Sequence, residues 1–266
     1  DAGIDLRAWR ALERLAARGA LPLRVYGMAW SDAADLDLLL EAGPRVGLFG
    51  GMLTLRAVKF MLDGALGSSG AALFADYADA PGERGLLIDP EGFARRAPAL
   101  AARGFQLAVH AIGDRAAALA LDVLEQAGRG LSDPRFRLEH AQLLRPEDLG
   151  RLAAAGIVAS VQPSHLASDA RWVERRLGKE RAARAFPWRS LLASGARLAF
   201  GSDFPIEPPD PRRGLHAALT RQTLDGWPEG GWRAEERLTA MQALAGFTTG
   251  AAWAAFEEGE GGRISE

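Results

Sequence analysis

Cysteine is absent from the 266 residues, so neither a disulfide framework nor a thiolate metal site is available. A reducing compartment, the cytoplasm, is the expected setting. No apolar run approaches the ~18 residues that would span a bilayer, and no signal-peptide pattern is present, so no membrane partner is expected. Charge of one sign is lacking too. With 32 basic and 34 acidic residues the net charge is −2, which offers no basic surface to nucleic acid. The seven tryptophans are scattered, without the spacing of a base-stacking platform. Histidine is limited to His110, His140, His165 and His216, and lysine to Lys59 and Lys179. Because the chain writes nearly every cation as arginine, a lysine inside the apolar strand AVKFML stands out. An amine can be desolvated, deprotonated and covalently modified, whereas a guanidinium stays charged. A lysine snorkelling from a strand end is the plainer reading.

A chain of this length with 48% apolar residues can bury a large core, as one α/β barrel or as two smaller domains. Neither an internal repeat nor a persuasive linker divides it, so a single barrel domain over residues 1–266 is expected. Apolar spacing predicts a helix over Asp5–Arg18, and others over Glu91–Ala102, Arg115–Ala127, Ala170–Arg184, Trp188–Ala193, Arg213–Leu224 and within Ala234–Phe256. Pro146 suits a helix N-terminus, with Gly156 closing that helix. Six strands alternate with the helices: Leu21–Trp30, Thr54–Leu62, Gln106–Ala111, Phe136–Ala141, Ile157–Gln162 and Arg197–Gly201. Such alternation argues for parallel βα units. A barrel of eight strands with its active site at their C-terminal ends is the natural closed form, and two strands are then missing, most simply before Asp1.

The chemistry gathers at those strand ends. FQLAVHAIGD ends its apolar run in His110, FRLEHA in His140, and RLAFGSD in Asp203; IVASVQPSH leads to His165. The glycine- and serine-rich DGALGSSGAAL lacks the spacing of a phosphate cradle and reads as a flexible active-site loop. Taken singly, a strand-end histidine is more often structural than a ligand. Two of them, a rare lysine and an aspartate at corresponding strand ends make coincidence improbable. Imidazole and carboxylate suit zinc, and a metal brings the pKa of water to roughly 7.

Together VKFMLDGALGS, VHAIGD, EHAQ, SVQPSH with Asp169 beyond it, GSDFP and the late TTGAAWAAF resemble the amidohydrolase superfamily, in its branch of YtcJ-like and N-substituted formamide deformylase-like hydrolases. The resemblance runs almost end to end. It implies a (β/α)8 barrel of the TIM type, here incomplete with about six of eight strands, and hydrolysis of amide-type C–N bonds in a small-molecule substrate. It makes Lys59 a metal-bridging lysine carboxylated on its amine, His110 and His140 ligands of a second metal position, and Asp203 both metal contact and general base. One or two divalent ions, zinc foremost, are implied. His165 and Asp169 would touch substrate, as would Asp63 and Gly64 after the lysine strand, although Asp63 also suits the orienting of its own loop. The family's first strand carries a His-x-His pair and a small β-sandwich accompanies the barrel; this sequence contains no His-x-His and stops at GGRISE. A fragment of a longer protein is therefore expected.

Three further readings follow from the residues. Asp114 suits a structural role at a helix start. Glu139 should point away from His140 and pair, buried, with an arginine. His216 lies in an amphipathic helix as a packing or surface residue. Against the hydrolase stand two alternatives: a catalytically incompetent barrel that acts as a binding or assembly module, whose open sheet edges favour association and are compatible with a homodimer, and a metal-free glycosidase using Asp63 and Asp203 as its carboxylate pair.

Overall fold

The computed structural model describes residues 1–264. Eight strands make one sheet: β1 (Ala2–Ile4), β2 (Val25–Trp30), β3 (Arg45–Gly47), β4 (Leu53–Met61), β5 (Gln106–Ala111), β6 (Arg137–His140), β7 (Val158–Val161) and β8 (Arg197–Phe200). Seven of them run parallel in the order β1-β2-β4-β5-β6-β7-β8, and β3 pairs antiparallel with β4. Helices Pro90–Ala102 and Asp114–Gly128 pack on each other outside β4 and β5, and Pro146–Ala154 follows β6. The result is the wall of a β/α barrel. Among the described residues no pairing joins β8 to β1.

The strand count differs from the sequence reading in an instructive way. The chain does not begin with a helix: Ala2–Ile4 forms a parallel strand on β2, pairing Ala2 with Met28 and Ile4 with Ala29. Three residues are too few to show a two-residue period, and only Ile4 of the three is buried. Leu21–Arg24 stay outside β2, and the helix after it covers only Leu36–Leu40. The stretch from Ala234 to Phe256 is broken into a 3-10 turn at Ala234–Glu236, an α-helix at Ala240–Ala245, a π-helical turn at Gly246–Gly250 and a last short helix at Ala251–Ala254.

Local chemistry explains the element ends that frame the site. Strand β5 is buried at all six positions, as expected of a strand covered on both faces. Pro146, Pro163 and Pro211 each open a helix, where the missing N–H costs nothing. Gly113 has no room for a side chain: a Cβ there would lie 2.0 Å from the carbonyl oxygen of Ala72. That contact seats the DGALGSSGAAL loop on the end of β5. No helix among the described residues is long and apolar enough to cross a membrane.

Candidate active site

Parallel register brings the chemistry to one rim. Met61 pairs with His110, and Ala111 with His140, so the ends of β4, β5 and β6 rise together. The imidazoles of His110 and His140 meet edge to face with ring centres 4.4 Å apart. His165 stacks on His140 at 5.8 Å with the planes only 13° apart. Its Nε2 stands 3.9 Å from Asp203 Oδ2. Lys59, Glu139, His140, Gln162, Asp203 and Phe204 line one cavity of about 460 Å³. A larger hollow of about 770 Å³ opens at the opposite, N-terminal ends of the strands, near Gly128, Pro134, Gly156 and Gly195, and contains none of these side chains.

The backbone is strained where the ligand candidates sit. His140 has φ of 73° and Asp203 φ of 58°, left-handed conformations that cost a non-glycine residue on the order of 1–2 kcal/mol each. At His140 the consequence is visible. Glu139 and His140 are neighbours on β6 and should face opposite ways, yet both line the same cavity. The expected arginine partner of Glu139 is present. It is Arg137, two residues back on the same strand, with Nε 2.6 Å from Glu139 Oε1 and Nη2 donating to Ser160 Oγ at 2.9 Å.

Electrostatics favour a neutral imidazole at the centre. Burial, and then the charges of His110, Lys59 and His165, hold His140 well below the usual histidine range. Its Nδ1 lies 2.7 Å from Gln162 Oε1. An amide oxygen can only accept, so Nδ1 carries the proton and Nε2 keeps its lone pair, the form that binds a metal. Gln162 escaped the sequence reading, although its place directly after β7 and before Pro163 was a usable signal. Burial also lowers the Lys59 amine, against the pull of Glu139 and Asp203. Burial raises the Asp203 carboxyl, with His165 and Lys59 opposing. For His165 burial lowers the pKa, while Asp203 and Glu207 work the other way.

Other candidates fall elsewhere. Asp63 is fully buried and accepts backbone N–H bonds from Ala72 (2.9 Å), Ile112 (3.0 Å) and Gly113 (2.8 Å). This is the loop-orienting role rather than a substrate contact, and it removes Asp63 from any carboxylate pair with Asp203. Gly64 closes the same loop: its N–H donates to Gly70 at 3.1 Å, and a Cβ would lie 3.1 Å from Gly70 Cα. His165 belongs to a short helix, Pro163–Asp169, at whose end Asp169 accepts a hydrogen bond from Gln142 Nε2 at 2.9 Å. Burial pushes the Asp169 carboxyl up to about 7, helped by Glu207 and opposed by Gln142. Asp114 lies at the start of helix Asp114–Gly128 and accepts from the Phe74 N–H at 3.1 Å. His216 packs within helix Pro211–Thr220, its Nε2 3.2 Å from the Thr223 carbonyl.

The donors suit a divalent ion: the imidazoles of His110 and His140, a carboxylate and a lysine, with the His140 ring hydrogen-bonded to Gln162 through Nδ1 and its Nε2 left for a metal. Among the described residues no three His, Asp or Glu side chains already stand together at ligating distance. The fit thus rests on the His110–His140 pair, with Lys59 and Asp203 on the same rim.

Residues 4–266 match the amidohydrolase family. The chain is 40% identical over 234 residues to the Arabidopsis thaliana protein LONG AFTER FAR-RED 3, covering 86% of this chain and 39% of that one. It is 35% identical over 269 residues to YtcJ of Bacillus subtilis (strain 168), covering 100% of this chain and 49% of the relative. Among solved structures, an uncharacterized metal-dependent hydrolase from Pyrococcus horikoshii OT3 superposes with a TM-score of 0.86 at 31% identity, over 98% of this chain and 52% of that one. The chain thus spans about half the length of these proteins, or less.

Proposed function

The chain belongs to the amidohydrolase family, and from that premise we propose that the protein is a metal-dependent hydrolase of amide-type C–N bonds in small molecules. The observation that carries this reading is the meeting of His110 and His140, rings 4.4 Å apart, on the rim that also presents Lys59 and Asp203. His110, His140, Asp203 and a carboxylated Lys59 are the residues that would hold the ion, and their donor chemistry suits zinc. The chemistry such an ion supplies is the activation of water, whose pKa falls to about 7 on coordination.

The protein's own groups do the rest. Asp203, its affinity for protons raised by burial, takes the proton of the attacking water on its carboxylate. Oxygen adds to the amide carbon, the C–N bond breaks, and the same proton passes to the departing nitrogen. His165, with Nε2 3.9 Å from Asp203 Oδ2 and without a hydrogen-bond partner among the described residues, would touch the substrate beside that carboxylate. Phe204, Pro205 and Ile206 form an apolar side of the cavity against which the substrate's hydrocarbon part can rest.

The test is hydrolysis of a panel of N-acyl and N-formyl amines by the metal-loaded protein, with and without chelator. Turnover lost on chelation and in Asp203→Asn supports the reading; turnover that survives both refutes it. Tight amide binding without turnover points instead to a binding module.

A further inference from the structure

We infer that Asp63 is the residue that orients His110 for metal binding, and that it ties this imidazole to the glycine-rich loop over residues 64–72; the inference rests on the proposed role of His110 as a ligand. Asp63 Oδ1 faces His110 Nε2 at 3.3 Å while also accepting the Ile112 N–H at 3.0 Å. Oδ2 holds the N–H groups of Ala72 and Gly113 at 2.9 and 2.8 Å. The carboxylate is fully buried and fixed from two segments, the loop and the end of β5.

His110 Nε2 is buried and faces Asp63 Oδ1 at 3.3 Å without making a hydrogen bond of good geometry to any protein group among the described residues. A carboxylate in front of Nε2 favours the tautomer that carries its proton on that nitrogen. The lone pair then lies on Nδ1. A metal-binding histidine commonly has its other N–H held by a carboxylate in this way, and loss of that partner typically weakens metal binding 10- to 100-fold. Gly113 and Ala72 share the same anchor, so movement of the loop is passed to the ring.

A long-range 1H–15N correlation spectrum of the metal-free protein reads the tautomer directly and needs no substitution. The Nε2–H form at His110 is expected; the Nδ1–H form would overturn the inference. Zinc titrations of the wild type, Asp63→Asn and His110→Gln provide the second measurement, with circular dichroism reporting folding. The expected result is a 10- to 100-fold weaker affinity in folded Asp63→Asn. Unchanged affinity there, with His110→Gln weakened, overturns the orienting role alone. Unchanged affinity in His110→Gln removes His110 from the site and sinks the proposed function with it.

Discussion

Replacing Glu139 by glutamine should destabilise the protein by about 3–5 kcal/mol, far more than the loss of a surface charge. The side chains of Arg137 and Glu139 are 14% and 7% exposed, and their nearest atoms are 2.6 Å apart. With an effective dielectric near 20, charges on the touching atoms would attract by about 6 kcal/mol, and spreading each charge over its group brings this nearer about 4 kcal/mol. Desolvation of both ions consumes much of that gain in the intact pair. Removing the carboxylate alone leaves Arg137 buried beside the Lys59 amine without the anion both face. Arg137→Met should cost less, because Lys59 still faces Glu139. The double variant should be milder than the sum of the singles, with a coupling of about 2–3 kcal/mol. Urea unfolding followed by circular dichroism and tryptophan fluorescence gives all four stabilities, provided the m-values agree. A loss below about 1 kcal/mol in Glu139→Gln, or strict additivity, would refute the reasoning.

Two other outcomes are expected. Gly113→Ala places a Cβ 2.0 Å from the Ala72 carbonyl oxygen, which accepts the N–H bonds of Arg115 and Ala116, so the loop must move at a cost of about 2–4 kcal/mol; a melting temperature within a degree of wild type would contradict this. Asp169 carries a carboxyl raised from 3.8 to about 7, so the folded state binds its proton more tightly than the unfolded one. Its contribution is favourable below pH 4 and is lost as pH rises through about 7, so Asp169→Asn should be the more stable protein at pH 8 by on the order of 3 kcal/mol and lose the advantage toward pH 4. Parallel stability profiles for the two proteins would count against it.

Most of the scaffold was legible because its core strands are compact apolar runs separated by helices with clear start signals such as Pro146, Pro163 and Pro211. β5 and the helix behind it need no tertiary information beyond burial on both faces. Lys59 declared itself through the near-absence of other lysines. The three-residue β1 was not legible, since its pairing is supplied by β2 and not by its own sequence. Glu139 illustrates a mixed case. Its burial and arginine partner followed from alternation along the strand, whereas its sharing a cavity with His140 depends on a positive φ that no residue type there announces. For Asp63 the sequence left a substrate contact and the orienting of its own loop side by side, because both follow from its place after the lysine strand; three N–H groups and an imidazole converging on it come only from the fold.

The central claim is that Lys59, His110, His140 and Asp203 hold a divalent ion together. Metal content by elemental analysis, after equilibration with limiting zinc, should be measured for the wild type and for Lys59→Ala, His110→Ala, His140→Ala and Asp203→Ala. Stoichiometric zinc in the wild type and a marked fall in every variant is the expected result. Equal metal content across all five proteins, each folded, would contradict it.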